Sequence, residues 1–380
     1  MIPFYNKHFK LGILGGGQLG RMLIQDAINY DISVHVLDPS DEAPCKYIAH
    51  HFVKGDFNDY NTVLNFGREL DVISIEIEHV NTDALETLEK LGKKVYPAPA
   101  FLKMVQDKGL QKEFYQKNNI NTAPFELVKS RREISTTSIS FPCIQKLRRG
   151  GYDGKGVQMI HSAENLEIAF DEPSILEKKV DIKKEIAVIV ARNESGEIKT
   201  FPLVEMEFNP EANLVEFLFS PTTVSQKIED EAIALAKKIV SVSNFVGLLA
   251  VELFVDQNDN VIVNEMAPRP HNSGHHTIEA CSTSQYEQLL RAIMNMPLGD
   301  TALLRPAVMI NLLGEKGYSG PVKYEGLEDA LACSGVHVHL YGKSETNPFR
   351  KMGHITVTAE KLDTAQQQAR KIATTVRVIA

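Results

Sequence analysis

Residues 10–38 leave this chain few folds to choose from. Residues 10–14 form a short apolar run that enters Gly15-Gly-Gly-Gln-Leu-Gly20. Residues 21–29 then carry Met22, Leu23, Ala27 and Ile28 at helical spacing, and a second apolar run, 33–37, ends in Asp38. A strand, a glycine loop, a helix and a strand closed by an acid predict a Rossmann-like start. The glycines let the loop turn tightly and approach a phosphate, which the N–H groups at the helix start would hold. The pattern suits a dinucleotide, and it suits any other phosphorylated ligand equally.

The alternation continues with a helix at 60–70, a strand at 72–77 bearing Glu76 and Glu78 at its end, a helix at 81–91 and a strand at 94–96. Glu76 falls at the carboxyl end of a central strand, where open α/β sheets bind ligands, although such a carboxylate can also simply face water. Pro97-Ala-Pro99 breaks the pattern and marks a first domain boundary. Residues 101–118 read as one long helix containing Asp107-Lys108. Strands at 141–147 and 157–160 then flank Gly150-Gly-Tyr-Asp-Gly-Lys-Gly156. That is a flexible hairpin able to close over a triphosphate, with Lys155 and the preceding Lys146 near its oxygens. The strand at 174–180 turns polar at its end and suits an adenine edge. Glu185, on the next strand (183–191), either accepts ribose hydroxyls or faces solvent, and 229–243 is an amphipathic helix.

A second hairpin is predicted from 248–255 and 261–263, joined by the turn 256–260. Glu252 and Glu265 then share one sheet face, with Asn264 beside them, and such a pair suits a hard cation that also binds substrate phosphates. Arg269, His271, Asn272, His275 and His276 follow, interrupted by Pro268 and Pro270. Prolines this close disfavour a helix and predict a rigid loop of anion donors. A helix at 286–294 and Pro297-Leu-Gly299 close the region. From residue 300 onward the sequence predicts a small, mainly β tail, with cations at Lys343, Arg350 and Lys351.

With 380 residues, two or three domains with real cores are expected. A hydrophobic share of 43% and a charged share of 24% mark an ordinary soluble protein. A net charge of −8 argues against non-specific binding to nucleic acid or anionic membranes, yet leaves phosphorylated small molecules open. Cys45, Cys143, Cys281 and Cys333 are widely spaced and read as buried thiols of a reducing compartment. No apolar run is long enough to span a bilayer, and no signal-peptide pattern opens the chain, so a cytoplasmic location is expected.

Taken together, Gly15-Gly-Gly-Gln-Leu-Gly20, Gly150-Gly-Tyr-Asp-Gly-Lys-Gly156, Asn264-Glu265 and above all Pro268-Arg-Pro-His-Asn-Ser-Gly274 resemble the ATP-grasp superfamily. Within it, the likeness is to the 5-(carboxyamino)imidazole ribonucleotide synthetase family, and it spans nearly the whole chain. The resemblance implies a Rossmann-like pre-ATP-grasp domain at 1–98 and an ATP-grasp region at 99–299, with a small lobe at about 99–180 and a large lobe at about 181–299. A C-terminal β-rich domain at 300–380 completes the α/β and α+β fold. It also implies ATP-dependent carboxylation of aminoimidazole ribonucleotide with bicarbonate, through carboxyphosphate, in a homodimer.

For ATP, the resemblance implies Lys108, Lys146, Gly151, Tyr152, Asp153, Gly154, Lys155, Gly156, Glu177, Lys178, Lys179, Val180, Glu185, Asn264 and Glu265. For Mg²⁺, two ions in expectation, it implies Glu252 and Glu265. For the ribonucleotide it implies Gly17, Gln18, Leu19, Glu76, Asn272, Ser273, Lys343, Arg350 and Lys351. Catalysis would fall to Lys155, Arg269, His271, Tyr152 and Asp153. The chain departs from the family at Glu205-Met-Glu-Phe208, where relatives often carry Glu-Asn-x-His. Formate-using glycinamide ribonucleotide transformylases and other ATP-grasp carboxylases are the neighbouring alternatives. An NAD(P)-dependent oxidoreductase would leave the second glycine loop and the Glu252–Glu265 pair without a role. A nucleotide-binding regulator without turnover would bind ATP and release no ADP.

Overall fold

Strands and helices at the amino terminus build a five-stranded parallel sheet, in spatial order His51–Lys54, Ser33–Asp38, Lys10–Leu14, Val72–Ile75 and Lys94–Val95. The computed structural model describes residues 5–151, 156–209 and 214–380. The strand order steps outward from Lys10–Leu14 on one side and then restarts on the other. The carboxyl ends of Lys10–Leu14 and Val72–Ile75 therefore flank a topological switch point, where a crevice forms. Helix Gln18–Ile28 starts there, and its Met22, Leu23 and Ala27 bury against the sheet.

The helix predicted over 101–118 is two helices, Pro99–Val105 and Lys108–Lys117. Asp107 lies between them with extended backbone angles, and its carboxylate accepts the N–H groups of Gly109 at 2.9 Å and Leu110 at 3.3 Å. A capping acid satisfies donors that a helix start otherwise leaves orphaned, so restarting the helix outcompetes continuing it. Arg148 forks onto the same carboxylate at 2.8 and 2.9 Å. That fork ties the turn to a four-stranded antiparallel sheet ordered Phe125–Val128, Ser174–Lys178, Cys143–Leu147 and Val157–Ile160.

A nine-stranded sheet forms the rest of the frame. Its order is Val261–Ala267, Gly247–Asp256, Ile182–Arg192, Val204–Asn209, Leu214–Ser220, Ala307–Leu313, Lys351–Thr358 and Val336–Leu340, with Ile198–Thr200 paired to Ile182–Arg192. Ile186, Val188, Val190, Leu249 and Val251 pack one face against helix Gln226–Val242. Ile189, Ala191, Leu248 and Ala250 pack the other against Tyr286, Leu289 and Ile293 of helix Gln285–Ile293 and against helix Gln18–Ile28. The first sheet and the large sheet thus share one apolar core, in which each fully buried Leu or Ile contributes roughly 1.5–3 kcal/mol. This shared core fixes the crevice against the large sheet.

The three long strands after residue 300 continue the large sheet, because Phe217–Ser220 pair with Ala307–Ile310. The tail is less purely β than its sequence predicts: helix Leu362–Thr375 covers these strands with Ala365, Ala369 and Ile372. No helix among the described residues is long and apolar enough to cross a membrane.

Candidate active site

The hairpin of Gly247–Asp256 and Val261–Ala267 pairs Glu252 directly with Glu265, with a register shift just beyond. Direct cross-strand partners point to the same face, so two carboxylates meet there. They do not share charge equally. Burial, reinforced by the charges of Glu265 and Glu185, pushes Glu252 toward its protonated form. The ammonium of Lys108, ion-paired to Glu265, holds Glu265 below the usual carboxylate range. Glu265 keeps 42% of its side-chain surface open, and that surface faces cavity rather than core.

Behind this pair lies a lattice of lysines. Lys146 reaches Glu177 at 2.8 Å and the Asn264 side-chain oxygen at 2.9 Å. Lys112, one helical turn beyond Lys108, ion-pairs with the other Glu177 oxygen at 2.6 Å. Burial opposes charge on Glu177, but Lys146 and Lys112 outweigh it and lower its pKa. Among the described residues Glu185 has no such pair: burial pushes it up to about 7 against the pull of Lys146.

The switch point supplies the opposite wall. Glu76 sits half-buried there, and Gly15 and Gly17 make room for it. Gly15 has φ +101°, in the left-handed region that favours glycine, and a Cβ on Gly17 would meet Glu76 Oε1 at 2.5 Å. The loop's amides are not simply held out for a phosphate. The Leu19 N–H donates to Glu76 at 3.1 Å, and the Gly16 N–H donates to Asp38 at 2.7 Å.

Between hairpin and tail runs the loop after Ala267. Arg269 pairs with Glu78 at 2.8 Å. His271 approaches Glu252 through Nε2 at 3.5 Å, while its Nδ1 meets the Ser273 hydroxyl at 2.9 Å. Asn272 exchanges two hydrogen bonds with Asn311 of the tail, at 2.7 and 3.0 Å. After the two prolines the chain turns through a short 3₁₀ segment, Asn272–Gly274, and helix Thr277–Ala280.

These elements enclose a cavity of about 510 Å³. Gly17, Gln18, Leu19, Glu76, Lys108, Gly151, Glu265, Arg269, His271, Asn272 and Lys351 line it. Lys146, Asn264, Glu177 and Glu252 stand behind this lining through the contacts above. Gly156, Lys178, Lys179, Val180, Glu185, Ser273, Lys343 and Arg350 are not on its wall. Ser273 orients His271, Lys343 donates to the Lys351 carbonyl at 2.7 Å, and Arg350 donates to the Glu345 carbonyl at 2.6 Å. Tyr152, Asp153, Gly154 and Lys155 lie outside the described residues.

The structure adds wall residues outside the site expected from sequence, Glu78, Gln106, Gln111, Arg148 and Tyr341, and places His275 of the expected anion-donor loop on the same wall. Lys108, Gln111 and Lys112 had a signal available, since i, i+3 and i+4 share one helix face. His275 is buried and kept neutral by that burial, with Tyr286 and Gln285 each 3.1 Å from its Nδ1. At the family departure, the Glu205 carboxylate is held by Lys184 and Thr223, and Phe208 packs into a small apolar cluster with Met206 and Met309.

Comparison with known proteins agrees along the chain. Residues 8–106 match the ribonucleotide synthetase preATP-grasp domain, 113–286 the ATP-grasp domain, and 307–368 the phosphoribosylaminoimidazole carboxylase C-terminal domain. The N5-carboxyaminoimidazole ribonucleotide synthase of Synechococcus elongatus is 38% identical over 369 residues, covering 94% of this chain and 92% of that protein. The chloroplastic phosphoribosylaminoimidazole carboxylase of Vigna aconitifolia is 38% identical over 365 residues, and the match spans only 65% of its length. The crystal structure of N5-carboxyaminoimidazole ribonucleotide synthetase from Thermotoga maritima superposes with a TM-score of 0.91 at 41% identity, covering 98% of this chain and 99% of that one. An Aspergillus clavatus N5-carboxyaminoimidazole synthase, solved with ADP and 5-aminoimidazole ribonucleotide, gives 0.87 at 33% identity, over 97% of this chain and 100% of that one.

Proposed function

The chain belongs to the N5-carboxyaminoimidazole ribonucleotide synthase family of ATP-grasp enzymes, and from that premise we propose how its own residues divide the reaction. Its activity is that of an ATP-dependent carbon–nitrogen ligase that carboxylates 5-aminoimidazole ribonucleotide in purine biosynthesis. One observation carries the division of labour: a single cavity joins the lysine-bearing wall, the glycine loop with Glu76, and the Arg269–His271 loop.

ATP lies between the four-stranded sheet and the large sheet. Lys108 and Lys146 take its phosphates, helped by the loop from Gly151 to Gly156. Residues 178–180 meet the adenine edge, and Glu185 meets the ribose. Glu177, with both oxygens on lysines, serves ATP at one remove by holding Lys146. Glu252 and Glu265 fit Mg²⁺, because oxygen donors directly paired across two strands, with Asn264 adjacent, suit a hard cation that completes its shell with phosphates and water. Bound there, Mg²⁺ would neutralise charge on the phosphoryl group being transferred.

Arg269 holds bicarbonate with its planar fork and His271 lies alongside, so that a bicarbonate oxygen attacks the terminal phosphorus, the bond from that phosphorus to ADP breaks, and carboxyphosphate forms as ADP leaves. Gln18, Leu19 and Glu76 hold the ribonucleotide, with Lys351 and Arg350 meeting its phosphate. The exocyclic amine then bonds to the carboxyl carbon as the carbon–oxygen bond to phosphate breaks, and the amine loses a proton. Exclusion of water from the site would protect the intermediate.

The prolines at 97 and 99 and the change from parallel to antiparallel sheet support the first boundary, and the separate match of residues 307–368 supports the second, for domains at 1–98, 99–299 and 300–380, although the tail strands continue the large sheet. A cytoplasmic homodimer is the working state this family reading favours, and sedimentation at assay concentration tests the dimer. The decisive assay is ADP release with Mg·ATP, with bicarbonate and aminoimidazole ribonucleotide each present or omitted. Release should require the ribonucleotide and rise with bicarbonate. Release indifferent to the ribonucleotide would demand another acceptor.

A further inference from the structure

Arg269 answers two carboxylates delivered by one strand end, ion-paired with Glu78 and coupled through its charge to Glu76. Glu76 and Glu78 follow strand Val72–Ile75 of the first sheet, whereas Arg269 follows the hairpin of the large sheet. Glu78 and Arg269 both line the cavity and meet at 2.8 Å, with only about a fifth of each side chain exposed. The backbone carrying Glu78 is itself anchored. Gln106, at the end of helix Pro99–Val105, donates its side-chain N–H groups to the Glu78 carbonyl at 2.7 Å and the Val80 carbonyl at 3.0 Å. The Val80 N–H donates to the same Glu78 carbonyl at 3.0 Å.

On the guanidinium, Nη2 meets Glu78 and Nη1 donates to the Pro270 carbonyl at 3.0 Å. Each Nη carries a second N–H, and the plane set by these two contacts decides where those second donors aim. We propose that Glu78 is a positioning residue for the carboxylation, one that fixes the Arg269 plane so that its fork presents to bicarbonate; this rests on the reading of Arg269 given above. Glu78 also acts as a counterweight. Without its charge, the nearest anion left to Arg269 on that strand end is Glu76, in the part of the cavity assigned to the ribonucleotide, and the guanidinium would turn toward it. A planar cation needs an ionised, correctly placed partner to keep one orientation, which a neutral amide supplies less well.

Steady-state ADP release at varied bicarbonate, with ATP and aminoimidazole ribonucleotide saturating, tests this in the full chain. Parent, Glu78→Gln, Arg269→Lys and the double variant are compared, with the KM for ATP as internal control. Glu78→Gln should lower kcat/KM for bicarbonate about tenfold, leave the KM for ATP within about twofold, and add less than about twofold once Arg269 is already Lys. Glu78→Asp, which keeps the charge, should recover part of the loss. Parental bicarbonate kinetics in Glu78→Gln would overturn the proposal, and so would a loss that multiplies in full onto Arg269→Lys or falls equally on ATP. If Arg269→Lys alone keeps parental bicarbonate kinetics, the assignment of Arg269 is what fails, and the role of Glu78 falls with it.

Discussion

The glycine-loop wall and the lysine wall of the cavity both answer carboxylates with donors, but donors of different freedom. On the first wall, Asp38 and Glu76 accept backbone N–H groups of Gly16 and Leu19. Those donors are fixed by the start of helix Gln18–Ile28 and by the turn at Gly15, so they cannot re-aim. On the second wall, Glu177 and Glu265 accept Lys112, Lys146 and Lys108. A lysine ammonium rides on a flexible stem and can change partners at little cost. The first wall is therefore a preformed mould whose shape decides what enters. The second is a store of positive charge that a polyphosphate draws away from the protein's own carboxylates.

The most severe test of this contrast is Lys146→Met. Losing one cation aimed at a transferring phosphoryl group should cost a hundredfold to a thousandfold, on the order of what removing one transition-state donor costs. Bicarbonate-dependent ADP release measures it, and a loss below about tenfold would mean the lattice does not hand its lysines to ATP. Next come the paired carboxylates. Glu265 is held ionised and Glu252 is driven toward protonation, so Glu265→Gln should raise the Mg²⁺ concentration needed for half-maximal rate more than Glu252→Gln does, by about tenfold against a few-fold. Equal effects would show that bound metal erases the asymmetry.

The mould is probed by Gly17→Ala, whose methyl would press on Glu76 Oε1. Overpacking of this kind costs about 1–3 kcal/mol, and the KM for ribonucleotide should rise about tenfold, with that for ATP unchanged. A parallel rise for ATP would show that the walls are not independent. The last test reads stability instead of turnover and concerns Glu185, whose pKa is about 7 in the fold against about 4.3 in an open chain. Between those values the folded chain holds a proton that the unfolded chain has released, so stability falls as pH rises across that window. In the absence of ATP and divalent cation, the unfolding free energy of Glu185→Gln should gain on the parent by about 2.5 kcal/mol between pH 5 and 7.5. A constant difference across that range would place Glu185 outside the buried charge network.

Much of this frame was legible. The strand, glycine loop, helix and Asp38 at the start gave the parallel sheet, because helix and strand periods are local and glycine marks the turn. The hairpin itself was legible, but symmetry about the Asp256–Asn260 turn would set Glu252 opposite Asn264, and the register shift between Glu252 and Leu253 is what brings Glu265 across from it. Residues 101–118 misled because periodicity runs through Asp107, and only its capping geometry with Gly109 and Leu110 shows the break. Helix Leu362–Thr375 had a readable signal in the spacing of Leu362, Ala365, Ala369 and Ile372, hidden among glutamines that suggest no buried face.

By itself, the sequence determined which segments become strands and helices, where glycine must turn the chain, and which residue types could meet phosphate, metal and bicarbonate. Those properties depend on neighbours within a turn or two of chain. Only the tertiary structure decided that Glu76 fills the glycine loop, that Lys112 shares Glu177 with Lys146, that Ser273 and Asn272 brace the loop around His271, and that Glu78 grips Arg269. Each is a contact between groups whose charge or hydrogen bond is satisfied through space. Such partners are chosen by the shared core that presses the first sheet against the large one, and no local pattern in the chain encodes that choice.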